Sequence, residues 1–476
     1  MLTAREPLPV PPGRLSLKSA RALTAAWRSR WTLLCDTYAP HRGRDDFWRH
    51  HKSEQAPEQQ GWKIHLSATL LSAVDLFESC AQTLVRSSCQ FKVAASLETV
   101  QKLNGGMAGR SQTGKIITVY CPDPAKARAL AEELDVLTRG IPGPEVPSDR
   151  RFRPESNVFY RYGGYDTFEI EIDGRKVPAY RDPAGNPVRD RRTRSTAVPS
   201  WADDPFADNL ATHAAPGRRN KDGAYVAFKS LGWRGRGGVY LLRRRGDETA
   251  RRYVLKEGLL HGGAGLDGRC GIDYVRAEFR NLKSLNGIVP LPAPVDFFYQ
   301  DGNAYLVTEY VGDGKSVDEV LKGGELALQR SIAIGRQMVD IVASLHAAGW
   351  CWRDCKMRNF LYSDGKVWAI DFEHALRIRG RPSAFVGTPG YFLENKEVTS
   401  GRAGELQDRY ALGTVLHAVF AGLSEERVAS LESLPPLPET VPSALRDLIA
   451  QLRHAVPRRR ASAAVAKRVF DGLPEH

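Results

Sequence analysis

No run of eighteen apolar residues occurs anywhere in the 476-residue sequence, so no helical membrane span is expected. Its start, MLTAREPLPVPPGRL, lacks the apolar stretch of a signal peptide, which argues against secretion. The seven cysteines are scattered and include no CxxC pair. Cys351 and Cys355 stand within CWRDC, too close to a catalytic-looking loop to suggest a disulfide framework. That usage fits a reducing cytosol, and a cytoplasmic location is expected. RNP, zinc-finger and helix-turn-helix patterns are also missing, as are internal repeats and long low-complexity tracts.

Positive charge is in excess, at a formal +13. The arginines are dispersed apart from short runs such as RDRRTR (189–194). Dispersal fits solvated surface charge first, an acidic or phosphorylated polypeptide partner second, and nucleic acid last. A chain of this length should hold two or three domains. The pattern predicts a multidomain α+β protein, with an N-terminal α/β-type domain over 1–205, a linker or arm over 175–222, and a second domain over 215–476.

The N-terminal text alternates strands and helices. An amphipathic helix over 17–38 precedes the strand GWKIHLS, after which Ser67 is a candidate N-cap for ATLLSAVDLFESCAQTLVR. The strand QFKVAAS leads into a short helix stopping at NGG, where Asn104 and Gly105 supply a C-terminal signal. The strand KIITVY (115–120) then precedes a helix through PAKARALAEELDVLTRG. The 175–222 stretch is Pro-, Arg- and Asp-rich with little periodicity.

In the strand GWKIHLS, Lys63 and His65 project from the face opposite Ile64 and Leu66. Two titratable groups on one strand face suit a phosphate. β-Elimination from a phosphorylated serine or threonine needs a base near Cα, an acid at the bridging oxygen and cations around the phosphate. Lys92, in the apolar QFKVAAS, is the candidate base, since its surroundings should push its pKa down. Arg110 and Lys115 lie among glycines that can close on an anion, with Tyr120 ending the strand. Arg150 and Arg161 offer guanidinium forks. Strand parity sends Lys115 and Tyr120 to opposite faces. The cations read as a cluster without carboxylate partners.

From AYVAFKSLGWRGRGGVYLL onward, the landmarks of a protein kinase follow in order. Gly232, Gly235 and Gly237, with Gly238, form a Gly-rich hairpin, although Arg234 stands where a plain GxGxxG reading puts the middle glycine. Lys256 in YVLKEG should meet ATP phosphates, with Glu278 as its helix carboxylate. Thr308 sits at the gatekeeper position, and the Glu309–Val311 backbone faces adenine. In CWRDCKMRNFL, Asp354 is the base, Lys356 steadies the γ-phosphate and Asn359 is a metal ligand. Seventeen residues on, Asp371 of IDFEHA is the other metal ligand. GTPGY (387–391) reads as the acceptor-contacting segment, and Asp408 as the brace of the catalytic loop. Trp352 replaces a histidine and Glu373 replaces the glycine of the DFG motif. Neither change removes a base or metal ligand, which weighs against a pseudokinase. The lysine two residues after Asp354 points to serine/threonine acceptors.

The strings WKIH, FKVAAS, GRSQTGKIITVY, SDRRFRPESNVFYRYGGY, YVLKEG, RDCKMRN and IDFEHA together resemble class III and class IV lanthipeptide synthetases. These fuse a phosphothreonine-lyase-like domain to a Ser/Thr kinase and a zinc-dependent cyclase. The resemblance implies a bifunctional dehydratase of a ribosomally made precursor peptide bearing a leader. It would phosphorylate Ser/Thr with ATP and Mg²⁺, then eliminate phosphate to leave dehydroalanine or dehydrobutyrine. It also implies that Lys92 is the lyase base and His65 the acid, with Lys63, Arg110, Lys115, Tyr120, Arg150 and Arg161 lining the phosphate. The two-lobed kinase fold is expected to end without a cyclase or its zinc ligands. Either a separate cyclase closes the rings, or the dehydro residues are the product, or the chain is a shortened form. The rival is a signalling Ser/Thr kinase with an N-terminal phosphopeptide-binding domain, and a further rival is a phosphoprotein lyase with a scaffolding kinase fold.

Overall fold

The computed structural model describes residues 17–43, 46–53, 59–165, 168–193, 198–208, 224–247, 249, 251–324, 326–380, 388–393 and 403–474. The side chains of 17–24 are not described. Arg194, residues 209–222 of the predicted arm, Gly387 and the N-terminal fifteen-residue opening lie outside these.

The chain forms two compact units that do not follow chain order. One comprises Met1–Asp247, Lys256–Asp273 and Tyr299–Tyr305; the other comprises Glu248–Leu255, Tyr274–Phe298 and Leu306–His476. The strands Arg252–Gly258 and Asn303–Glu309 each begin in one unit and end in the other.

The first unit is built on a seven-stranded sheet of β1 (His41–Arg42), β2 (Trp48–His51), β3 (Gln60–Leu66), β4 (Gln90–Ala94), β5 (Ile117–Tyr120), β6 (Arg150–Arg151) and β7 (Val158–Gly164). Their order is β1-β2-β4-β5-β3-β7-β6, with every neighbour antiparallel. The domain is therefore α+β, not a parallel βαβ sheet. Trp62, Ile64 and Leu66 alternate with Lys63 and His65 along β3, and Phe91 and Val93 flank Lys92 on β4. The apolar set joins one core with Trp27, Trp31 and Leu34 of α1 (Leu17–Tyr38) and Leu76, Phe77, Cys80 and Leu84 of α2 (Ala73–Arg86). Period two on the strands and 3.6 on the helices thus aim the same residues inward.

Ser67 is not the cap of α2. Its hydroxyl donates to Pro144 O at 2.7 Å, and the helix starts only at Ala73, after Ser72. Residues 69–72 close a turn first, with Thr69 and Ser72 bonded to each other. The short helix α3 (Leu97–Asn104) is capped by Ser96 and ends at Gly105, and α4 (Pro124–Leu137) is capped by Asp123. The 175–222 text is more ordered than its composition suggests. Strands β8 (Glu169–Ile172), β9 (Arg175–Arg181) and β10 (Pro187–Arg189) form an antiparallel meander, and Phe206 beyond it is fully buried against Tyr160.

The Gly-rich hairpin, β11 (Tyr225–Arg234) and β12 (Gly237–Arg244), belongs to this first unit. The second unit carries the helices Leu328–Ala347, Ala403–Phe420, Ser443–Leu452 and Ala463–Asp471, together with the catalytic segment 350–377. No helix among the described residues is long and apolar enough to cross a membrane, and all seven cysteines are buried free thiols.

Candidate active sites

Antiparallel register decides which side chains share a face, because directly opposed residues point the same way. His50 pairs with Lys92, Lys92 with Thr118, Thr118 with His65, and His65 with Phe159. Lys92 and His65 therefore stand in one row, with Thr118 between them. Two strand spacings, about 10 Å, separate their backbones. The next row on that face joins Gln90, Tyr120, Lys63 and Arg161. Lys92 is half-buried, its ammonium 4.1 Å from the Trp48 ring centre. Lys63 lies 5.6 Å from the ring centre of Tyr120 and 5.7 Å from that of Tyr165.

Contrary to the expectation of cations without partners, two buried carboxylates hold this face together. Asp149 places Oδ2 2.5 Å from His65 Nδ1, off the line of a good hydrogen bond, and Oδ1 2.7 Å from Lys115 Nζ. Ser148 donates to the same Oδ1 at 2.8 Å. Asp190, just past β10, accepts both ends of the Arg161 fork at 2.8 and 2.6 Å, and Arg192 reaches it at 3.3 Å. Both aspartates sit in near-identical strings, SDRR (148–151) and RDRR (189–192), whose arginines masked them as basic runs.

The parity argument against Lys115 fails because regular pairing of β5 starts only at Ile117. Gly114 turns with φ +77°, and Lys115 precedes the strand, so it reaches Asp149 while Tyr120 keeps the Lys63 row. Arg110 stands apart, exposed at the start of a 3₁₀ turn, with its guanidinium 5.6 Å from the Trp233 ring centre. Arg150 pairs with Tyr160, which puts it on the apolar side, whereas Arg151 pairs with Phe159 and continues the His65 row. Arg150 still lines a groove at the sheet edge with Arg161, Tyr162, Tyr180, Asp190 and Arg191.

Burial drives the electrostatics. It pushes His65 down to about 3, helped by Lys115 and opposed by Asp149, so the imidazole is neutral near pH 7. Lys115 is lowered to about 8 by burial, against the pull of Asp149. Lys63 is held well below its ordinary value by burial and then by Arg161. Burial pushes the Asp149 carboxyl up, but Lys115 and His65 together overcome it and leave it well below the usual carboxylate range.

In the second unit the catalytic loop is assembled around Asp354. Lys356 Nζ donates to its carboxylate at 2.8 Å, Asn359 Nδ2 at 2.9 Å and Thr388 Oγ1 at 3.3 Å. Burial raises the Asp354 carboxyl; Lys356 opposes this and Asp371 adds to it. Asp408 receives the Trp352 and Arg353 amides at 2.7 Å each and His346 Nε2 at 3.1 Å, which fixes the loop from below. Trp352, standing where the motif has a histidine, ties this loop to the Asp371 segment. Its indole N–H donates to Asp371 O at 3.2 Å, and its ring stacks on Phe372 at 5.2 Å. Asp371 takes a left-handed φ of +66°.

Ligand atoms of Glu278, Asp371 and Glu373 lie within 4.8 Å of one another. Asn359 spends its NH₂ on Asp354, which leaves its oxygen for a cation. This donor set is all hard oxygen and suits a divalent metal. Glu309 gives its N–H to Ala293 O and its carboxylate to Arg251, with Thr308 and Val311 half-buried beside it.

In the first unit, the Gly-rich turn packs on the end of α3. The Gly235 N–H donates to Gly105 O at 3.1 Å, and a Cβ on Gly235 would meet Asn104 O at 1.7 Å. Gly237, at φ +151°, has the same close approach to Glu257 O, while Gly232 faces open space. Lys256 belongs to this unit, in the strand that leaves it.

The second half thus has the make-up of a protein kinase, with Asp354, Asp408 and the Glu278–Asp371–Glu373 carboxylates assembled as its motifs predict. It follows, in the chain, an α+β domain whose sheet gathers cations on one face. The chain belongs to the protein kinase family, whose domain model matches residues 225–469, and residues 36–218 match the model described as RamC, N-terminal domain. That pairing bears out the resemblance to class III and class IV lanthipeptide synthetases. Among curated proteins, a probable SapB synthase of Streptomyces coelicolor is 30% identical over 380 residues, 77% of this chain and 40% of the relative. CDPK-related kinase 5 of Arabidopsis thaliana is 28% identical over 216 residues, covering 41% of this chain and 35% of that kinase. Calcium-dependent protein kinase 12 of Oryza sativa subsp. japonica is 27% identical over 263 residues, 51% and 48% of the two chains. The chain spans less than half the length of each of these relatives.

Proposed function

We propose that the protein is a two-step dehydratase of a ribosomally made precursor peptide, phosphorylating Ser/Thr and then eliminating the phosphate. The observation that carries this is the shared row of Lys92 and His65 beside a buried charge surplus. Lys63, Lys115, Arg161 and Arg192 gather, among the described residues, around the two buried carboxylates of Asp149 and Asp190. When fully protonated, these four cations exceed the two carboxylates by two charges, which is what a phosphate ester dianion supplies.

In the first step Asp354 accepts the proton of the acceptor hydroxyl, and Lys356 turns from Asp354 to the transferring phosphate. ATP is the donor. Asp371 and Asn359, with Glu373 close by, are the residues to hold Mg²⁺, which when bound screens the phosphate oxygens. In the second step Lys92 takes the α-proton, the electron pair forms the Cα=Cβ bond, and the Cβ–O bond breaks. His65 gives a proton to the departing phosphate. Neutral in the resting site, His65 gains that proton because an adjacent dianion favours the imidazolium. Tyr120 and Lys63 orient the phosphoamino acid from the next row. We place the domain division at 1–205 and 215–476 and the setting at the cytoplasm.

Mass spectrometry of a Ser/Thr-rich precursor with enzyme, ATP and Mg²⁺ tests this. The wild type should give loss of water, Lys92→Ala a gain of about 80 Da per site, and Asp354→Ala no change. Dehydration at the normal rate by Lys92→Ala would sink the base assignment. Phosphopeptide accumulating with the wild type would leave a kinase with a phosphopeptide-binding domain.

A further inference from the structure

Arg161 is the one guanidinium of the Lys63 row, yet both arms of its fork are taken by Asp190. The pair is buried, with side chains 9% and 2% exposed. The fork is seated tightly. Its Nη2 lies over Gly163, where an added Cβ would be 2.4 Å away. Asp190 comes from outside the sheet, on the residue following β10, and its own N–H is tied to Pro178 O at 2.7 Å. An intramolecular carboxylate therefore fills the position that a phosphate ester would take on Arg161.

We propose that Asp190 sets the site's selectivity for phosphate esters over carboxylates. Its carboxylate holds the Arg161 fork until a phosphate dianion displaces it. This rests on the elimination reading above. An open arginine fork binds any planar carboxylate, so aspartate and glutamate residues of the peptide would compete for it. A fork already bonded to a buried carboxylate gives a peptide carboxylate nothing to gain, because one monoanion replaces another at the cost of exposing the first. A dianion brings the extra charge that the surrounding surplus of two cations lacks, and it has a third oxygen for Lys63. Asp190 acts here as a positioning residue, through Arg161.

The test uses the full chain and a synthetic phosphothreonine peptide, without ATP, so that only elimination is followed. Competitors are inorganic phosphate and the same peptide with glutamate in place of phosphothreonine. The wild type should be inhibited by phosphate and barely by the glutamate peptide. Asp190→Asn should bind the glutamate peptide at least about tenfold more tightly, a change near 1.4 kcal/mol. Its KM for the phosphopeptide should fall several-fold, more than kcat changes. Asp190→Glu should restore discrimination. Unchanged inhibition by the glutamate peptide in Asp190→Asn overturns the proposal, and so does a KM that rises. A measurement on the wild type covers the case in which the variant does not fold. Hydrogen exchange over 187–193 should speed up when the phosphopeptide is bound to a Lys92→Ala chain; slower or unaltered exchange overturns the displacement. A wild type that eliminates nothing removes the elimination reading and this inference together. Elimination with no change in Asp190→Asn removes this inference alone.

Discussion

Asp149 carries more of the first site than any residue that the sequence strings brought forward. Fully enclosed, it neutralises Lys115 and approaches His65, so removing its charge leaves the Lys115 ammonium without a counter-ion in a dry site. Asp149→Asn should cost about 3–5 kcal/mol of stability. It should lower elimination by roughly 10²-fold or more while phosphorylation continues, as when an aspartate orienting a catalytic histidine is amidated. Urea denaturation and the two product masses check this, and an Asp149→Asn chain that eliminates normally removes its positioning role. The same contacts fix the acid side of the stability curve. Folded His65 stays neutral down to about pH 3, while in the unfolded chain it takes a proton below about 6.5. The unfolded state then binds more protons, so stability falls as pH drops through that window, by of order 4 kcal/mol. Asp149, depressed in the fold, adds to the loss below about pH 4. Urea midpoints should therefore fall steadily from pH 6.5 to 4, and a flat profile contradicts the burial of a neutral His65.

Single elements show where sequence alone was a sufficient guide. Strands β3 and β4 were legible because apolar and titratable residues alternate without interruption, and this also put Lys63, His65 and Lys92 on one face. The catalytic loop was legible because its chemistry needs fixed residue types at fixed spacing. What escaped was anything set by a turn or a distant segment. Ser67 looked like a cap, but residues 69–72 turn before the helix can start. Lys115 looked misdirected because strand parity was counted from Lys115 itself, whereas regular pairing of β5 starts only at Ile117. Arg150 was named and Arg151 was passed over, although edge pairing, invisible in the string, gives the His65 row to Arg151. Asp190 lay in a stretch read as an arm. In the catalytic segment, Trp352 departs from the motif and still ties the loop to the Asp371 backbone. Trp352→Ala should cost about 3–5 kcal/mol by emptying the stack on Phe372. It should also abolish phosphorylation by releasing Asp371. Trp352→His, which keeps a ring N–H, should retain measurable kinase activity. Equal activity of the two variants would mean that the donor is irrelevant.

At the scale of the molecule, the boundary that packing draws is not the one that sequence similarity draws. The family models part near residue 220, between 36–218 and 225–469. The compact unit that contains the sheet domain also takes in β11, β12 and the segments Lys256–Asp273 and Tyr299–Tyr305. Its contacts with β11 are specific. Gly105 O accepts from the Gly235 amide, Trp233 lies against Gly106, and Arg110 sits by the Trp233 ring. A fragment cut at residue 222 would lose all of these and expose the end of α3, which follows directly on the strand bearing Lys92. Such a 1–222 fragment should unfold several degrees below the transition that removes the sheet domain in the full chain, since about 1 kcal/mol moves the midpoint of a domain this size by roughly 2–4 °C. Calorimetry of both chains, with near-ultraviolet dichroism to follow the tryptophans, measures the difference. A fragment as stable as the full-length sheet domain would show that the hairpin merely rests there. Lower stability, rescued by supplying residues 223–305 in trans, would show that the kinase's Gly-rich hairpin is part of the body that holds the seven-stranded sheet.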